Sequence, residues 1–174
     1  DTYELPWVET PLFLKSLENI ECPKWIKKHA IELHNSGYTI LDLDIDESVL
    51  DKINHDIEKM ILSGNIKTNP SMYHYNDSPR IVEAWKVSDS IVKVAKSKKI
   101  IELVEFLYRS KAKPFNTINF IKSTEQPLHS DYIHFSSIPE RYLAGVWIAL
   151  EDVHPDAGPL QVVPKSHNLP IVTL

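Results

Sequence analysis

Pro127-Leu128-His129-Ser130-Asp131-Tyr132-Ile133-His134-Phe135 is the stretch on which the reading of this chain turns. Successive side chains alternate on an extended backbone, so His129 and Asp131, two apart, leave the same face of a strand. An imidazole beside a carboxylate supplies two of the three ligands of the non-haem Fe(II) oxygenase site, whose remaining positions stay open for co-substrate and O₂. The competing reading is a hydrogen-bonded surface pair, because His-x-Asp recurs by chance. His134, five residues after His129, faces the opposite side of a regular strand, which suits a substrate pocket rather than a metal.

Around this stretch the pattern is extended. Residues 115–122, 142–150 and 160–163 read as strands, separated by turn-forming runs such as His154-Pro155-Asp156-Ala157-Gly158-Pro159. Upstream the period changes. Trp25, Ile26, Ala30 and Leu33 recur at helical spacing between Pro23, acceptable in a first turn, and Gly37, a C-terminal stop. A short strand is expected at 38–43. A second helix opens on Asp46, keeps Val49, Leu50, Ile53, Ile57, Met60 and Ile61 on one face and ends at Gly64. Residues 65–80 read as a long loop, 88–97 and 98–110 as two more helices, and 1–22 as an irregular arm. Helices first and strands later indicate an α+β protein, 1–113 mainly helical and 114–174 mainly strands, in a single domain.

Composition narrows the class. With 43% apolar and 25% charged residues among 174, the chain fits a globular domain and neither a disordered chain nor a membrane span. A formal charge of −5 disfavours nucleic acid and anionic membrane as partners, because both require concentrated positive charge. The basic run from Lys93 to Lys113 has apolar residues threaded through it at helical spacing and reads as a solvated helix face. Cys22 is the only cysteine, which excludes an intrachain disulfide and a cysteine zinc site, and with no secretion signal or membrane segment points to the cytoplasm. Glycine is scarce, at 4, so each one is expected to mark a constrained position.

Residues 115–170 resemble the phytanoyl-CoA dioxygenase family. The resemblance is carried by several motifs in fixed order: the strand Phe115-Asn116-Thr117-Ile118-Asn119-Phe120, then His129-Ser130-Asp131, then Gly145-Val146-Trp147-Ile148-Ala149-Leu150-Glu151-Asp152, then Gly158-Pro159-Leu160 running into Pro164-Lys165-Ser166-His167. It implies a double-stranded β-helix, a jelly-roll relative with the helical half packed on it. It also implies Fe(II) and 2-oxoglutarate as cofactors, with O₂ and a small organic molecule as substrates. Co-substrate decarboxylation to succinate and CO₂ would be coupled to substrate hydroxylation. His129 and Asp131 become iron ligands by that resemblance, and the carboxylate at 131 argues against the halogenating relatives.

Further residues carry over. Trp147 takes the strand position whose ring borders the co-substrate, against the alternative of a packed core tryptophan. Asn119 lies on the strand entering the site, where its amide suits a co-substrate carboxylate, against a strand-edge amide satisfied by backbone. Lys86 is the candidate for a lysine that some members point at the co-substrate. His134 and Tyr75, the latter in the loop around Met72, are expected to face substrate. His167 is expected to be structural, His154 exposed, and the turn at Lys165 altered, because the family has glycine there. The family's third ligand, a histidine, and its co-substrate arginine lie beyond the Pro-x-Ser-His segment, so the chain is expected to be the N-terminal portion of such a domain. Two alternatives stay open: a non-catalytic scaffold or ligand-binding member of the same fold, and a related barrel metalloenzyme that uses no 2-oxoglutarate.

Overall fold

The computed structural model describes residues 5–63, 80–121, 126–135 and 137–170. Among the described residues there are five α-helices, α1 (Phe13–Glu18), α2 (Lys24–Ser36), α3 (Glu47–Leu62), α4 (Asp89–Ala95) and α5 (Lys98–Tyr108), with one strand between α3 and α4 and another after α5. Strands β1 (Arg80–Val82) and β2 (Ile118–Phe120) pair antiparallel, with Ile81 opposite Asn119. Short 3₁₀ turns occupy Trp7–Glu9, Ala84–Lys86, Asp131–Ile133, Pro155–Ala157 and Ser166–Asn168. Mixed helix with a small antiparallel sheet is an α+β chain. Among the described residues no helix is long and apolar enough to cross a membrane.

The helix ends follow their capping residues. Pro23 precedes α2, and Gly37 closes it at φ 82° with its N–H on Leu33 O at 2.8 Å, a conformation glycine adopts without steric cost. Asp46 caps α3 by accepting from Ser48 N at 2.8 Å. The expected terminator, Gly64, lies outside the described residues. Ser88 caps α4, accepting from Ile91 N at 3.2 Å. The hydroxyls of Ser88 and Ser90 both donate to Asp56 Oδ2, at 2.7 and 2.6 Å, which ties α4 to α3.

Two apolar clusters result. Val8, Phe13, Leu17, Ile26, Ala30, Leu103 and Leu107 form one, where α2, α5 and the N-terminal segment meet. Ile53, Ile81, Ala84, Ile91 and Val94 form the other, with Trp85, Ile148 and Leu150 against it. The N-terminal segment is therefore no irregular arm. Phe13 is 0% exposed and Leu17 1%, one turn apart on α1, and Trp7 Nε1 donates to Ser16 Oγ at 3.0 Å. Six helical residues are too few to establish a period in sequence, yet two side chains suffice to seat them.

The expected strands at 38–43, 142–150 and 160–163 have no strand partner among the described residues, and the span 115–122 pairs only at Ile118–Phe120. A strand requires a neighbour's N–H and C=O groups; β-propensity marks extended chain and does not supply that neighbour. Val146, Leu160, Val162 and Val163 are accordingly exposed.

The segment that begins at Arg141 is nevertheless anchored on the helices. Arg141 Nε bonds the Glu9 carboxylate, and its guanidinium also donates to His167 O. Tyr108 Oη donates to Leu143 O at 2.7 Å; burial pushes that phenol up to about 12, so it remains a donor throughout the neutral range. Lys165 N reaches Ser36 O at 2.8 Å, and His167 Nε2 lies 3.1 Å from His34 O. Lys165 adopts φ 66° where the family has glycine. A lysine side chain thus sits in the left-handed region.

Candidate metal centre

The extended backbone on which His129 and Asp131 would share a face gives way to a turn. Ser130 caps the 3₁₀ turn Asp131–Ile133, and Asp131 O accepts from both His134 N and Phe135 N at 2.9 Å. His129 and Asp131 still converge, across a turn rather than along a strand face. His129 Nε2 lies 3.5 Å from Asp131 Oδ1. His129 Nδ1 sits 2.8 Å from Pro127 O, an acceptor only, so Nδ1 donates there and Nε2 is the nitrogen turned toward Asp131. A second hydrogen bond that fixes tautomer and ring orientation is the usual companion of a metal-ligating histidine. Two ligands at right angles on bonds of about 2.1 Å stand roughly 3 Å apart, so a small adjustment brings this pair to a metal. The donors suit Fe(II). Among the described residues no third His, Cys, Asp or Glu joins them.

The pair is open to solvent, with side-chain exposures of 27% for His129 and 66% for Asp131. As a plain ion pair it would contribute little to stability. His134 corrects the strand-based expectation. The turn reverses the chain and brings its ring edge-on to His129, with centroids 5.4 Å apart. Sequence reasoning also missed Gly145, where a Cβ would lie 3.3 Å from Asp131 Oδ2. The available signal was the scarcity of glycine.

Asn119 stands on β2, and its buried Oδ1 has no hydrogen-bond partner among the described residues. A half-turn of the amide would present its donor in the same place. Trp147 is 48% exposed and is not a packed core residue. Lys86 lies on the surface, its Nζ 2.6 Å from Glu83 Oε1. His154 is exposed and caps Asp156 N through Nδ1 at 3.2 Å. Tyr75 and the rest of the loop around Met72 lie outside the described residues. A cavity of about 370 Å³ between the start of α3 and residues 149–152 is lined by Glu47, Asp51, Glu151 and Asp152. Four carboxylates make it a poor receptacle for a dianionic oxoacid.

A family model for phytanoyl-CoA dioxygenase matches residues 33–172, which takes in α3 through β2, the His129–Asp131 pair and the Pro-x-Ser-His segment. The chain belongs to the phytanoyl-CoA dioxygenase family. No curated protein and no solved structure gives a match. The phytanoyl-CoA dioxygenase match begins near the end of α2, so Phe13 and Leu17 precede it, although Leu103 and Leu107 of the same cluster lie within it. As a phytanoyl-CoA dioxygenase relative, the chain is dioxygenase-like in class.

Proposed function

We propose that this chain is an Fe(II)- and 2-oxoglutarate-dependent dioxygenase that hydroxylates a small organic molecule with O₂, in the cytoplasm, with His129 and Asp131 as iron ligands. The observation that carries the proposal is the oriented imidazole: Nδ1 on Pro127 O and Nε2 turned toward Asp131 Oδ1. Family membership supplies the reaction class. On this reading the fold is a single double-stranded β-helix domain to which the extended segments 142–150 and 160–163 contribute strands.

Iron, when bound, supplies the redox chemistry that turns O₂ against an unactivated C–H bond. The protein's part is placement. Pro127 O orients the ring of His129, and a single carboxylate leaves net positive charge to attract an anionic oxoacid. The Asn119 amide, through its NH₂, is assigned to a co-substrate carboxylate, and Trp147 to its border. Lys86 reaches an anion only by leaving Glu83. His134, against the His129 ring, and Tyr75 are assigned to substrate.

A second reading is ligand binding without turnover. One assay separates the two. Purified protein with Fe(II) and 2-oxoglutarate is expected to form succinate, and His129→Ala is expected to abolish both succinate formation and metal uptake. Metal uptake without succinate would establish the second reading; metal uptake unchanged in His129→Ala would refute the site.

A further inference from the structure

We infer that Gly145 is a positioning residue for Asp131, and that its missing side chain fixes which way the carboxylate turns. The inference rests on the metal reading of His129 and Asp131 and goes beyond it. Gly37 and Gly158 have positive φ, whereas Gly145 does not, so its backbone is one that any residue adopts. Local conformation therefore does not call for glycine at 145. What the glycine provides is room. A Cβ there would stand 3.3 Å from Asp131 Oδ2, closer than an ordinary van der Waals contact, while Oδ1 of the same carboxylate faces His129 Nε2 at 3.5 Å.

The backbone of Asp131 is held at the head of its turn, where its carbonyl accepts two N–H groups at 2.9 Å. Pressure on Oδ2 is then relieved mainly by rotation of the side chain, which swings Oδ1 away from the imidazole. Gly145 lies in an exposed segment without a strand partner, so part of a small intrusion is absorbed there. Larger side chains leave less to absorb. The effect should thus grade with size, Gly145→Val exceeding Gly145→Ala.

The test titrates Co(II), followed by its visible absorption, into the wild type, Gly145→Ala, Gly145→Val and the neighbouring control Ala144→Val, each checked for folding by circular dichroism. Gly145→Val should weaken Co(II) binding about tenfold or more and change the absorption band, as loss of support to a ligand does. Gly145→Ala should fall between, and Ala144→Val should match the wild type. A metal-free measurement runs beside it: the ring resonances of His129 at fixed pH should move in Gly145→Val in the direction they move in Asp131→Asn. Co(II) binding and His129 resonances in Gly145→Val that equal the wild type's would overturn the inference. Failure of the wild type to bind Co(II), with the His129 resonances still moved by Gly145→Val, would remove the metal reading and leave the contact standing.

Discussion

Replacing Gly37 by alanine tests how the Pro-x-Ser-His segment is held. A Cβ at 37 would lie 2.4 Å from His167 Nδ1 and 3.0 Å from its Cγ, so the ring must leave its seat. The left-handed φ of 82° adds about 1 kcal/mol for any residue with a Cβ. Displacing the ring removes its hydrogen bond to His34 O, worth about 1 kcal/mol. Together these predict a loss of about 2 kcal/mol, or roughly 4–8 °C in Tm for a chain of this size. Urea and thermal denaturation of four proteins read the terms separately: wild type, Gly37→Ala, His167→Ala and the double variant. With the ring already gone, Gly37→Ala should cost only its backbone term, about 1 kcal/mol. Equal costs in the two backgrounds would mean that Gly37 and His167 do not touch, and the docking of 165–167 on α2 would have to be abandoned.

Lys165→Gly should stabilise by about 0.5 to 1 kcal/mol by relieving a left-handed lysine, less glycine's entropy in the unfolded chain; a lower urea midpoint would contradict the φ at 165. Phe13→Ala should cost about 3–5 kcal/mol as a fully buried aromatic ring; a loss below 1 kcal/mol by urea denaturation would show that α1 is not part of the core. The Ser90 and Ser88 hydroxyls hold the Asp56 carboxyl below the usual carboxylate range. A depressed pKa contributes stability that is present above the unfolded value, near 4, and lost as pH falls through the folded one. Ser90→Ala should therefore cost about 1–2 kcal/mol at pH 7 and less in acid below the folded value, where Asp56 is protonated in either protein. An unchanged difference between the two pH values would exclude the linkage.

How much of this was legible in the chain depended on distance along it. The starts and stops at Pro23, Gly37, Asp46 and Ser88 are local chemistry, a cap or a constrained φ, and α2, α3 and α4 begin or end where those residues stand. The apolar spacing of Leu103 and Leu107 likewise marked the buried face of α5. α1 was not legible, because two anchors in six residues make no period. Residues 38–43, 142–150 and 160–163 read as strands and are not paired among the described residues, since pairing is a property of two stretches. β1, of which Arg80 closes the span read as loop and Ile81 and Val82 were assigned to no element, became a strand only because β2 lies beside it.

The candidate site divides the same way. The sequence by itself determined the identity of the donors, an imidazole and a carboxylate two residues apart, and the family motifs around them, because ligand chemistry is a property of residue type. Only the tertiary structure decided how those donors meet. A turn capped by Ser130 replaces the strand face, Pro127 O orients the ring of His129, the turn brings His134 to the imidazole, and Gly145, fourteen residues on, comes to stand against Asp131. Those contacts depend on the path the backbone takes between neighbouring stretches, which no spacing along a single strand encodes.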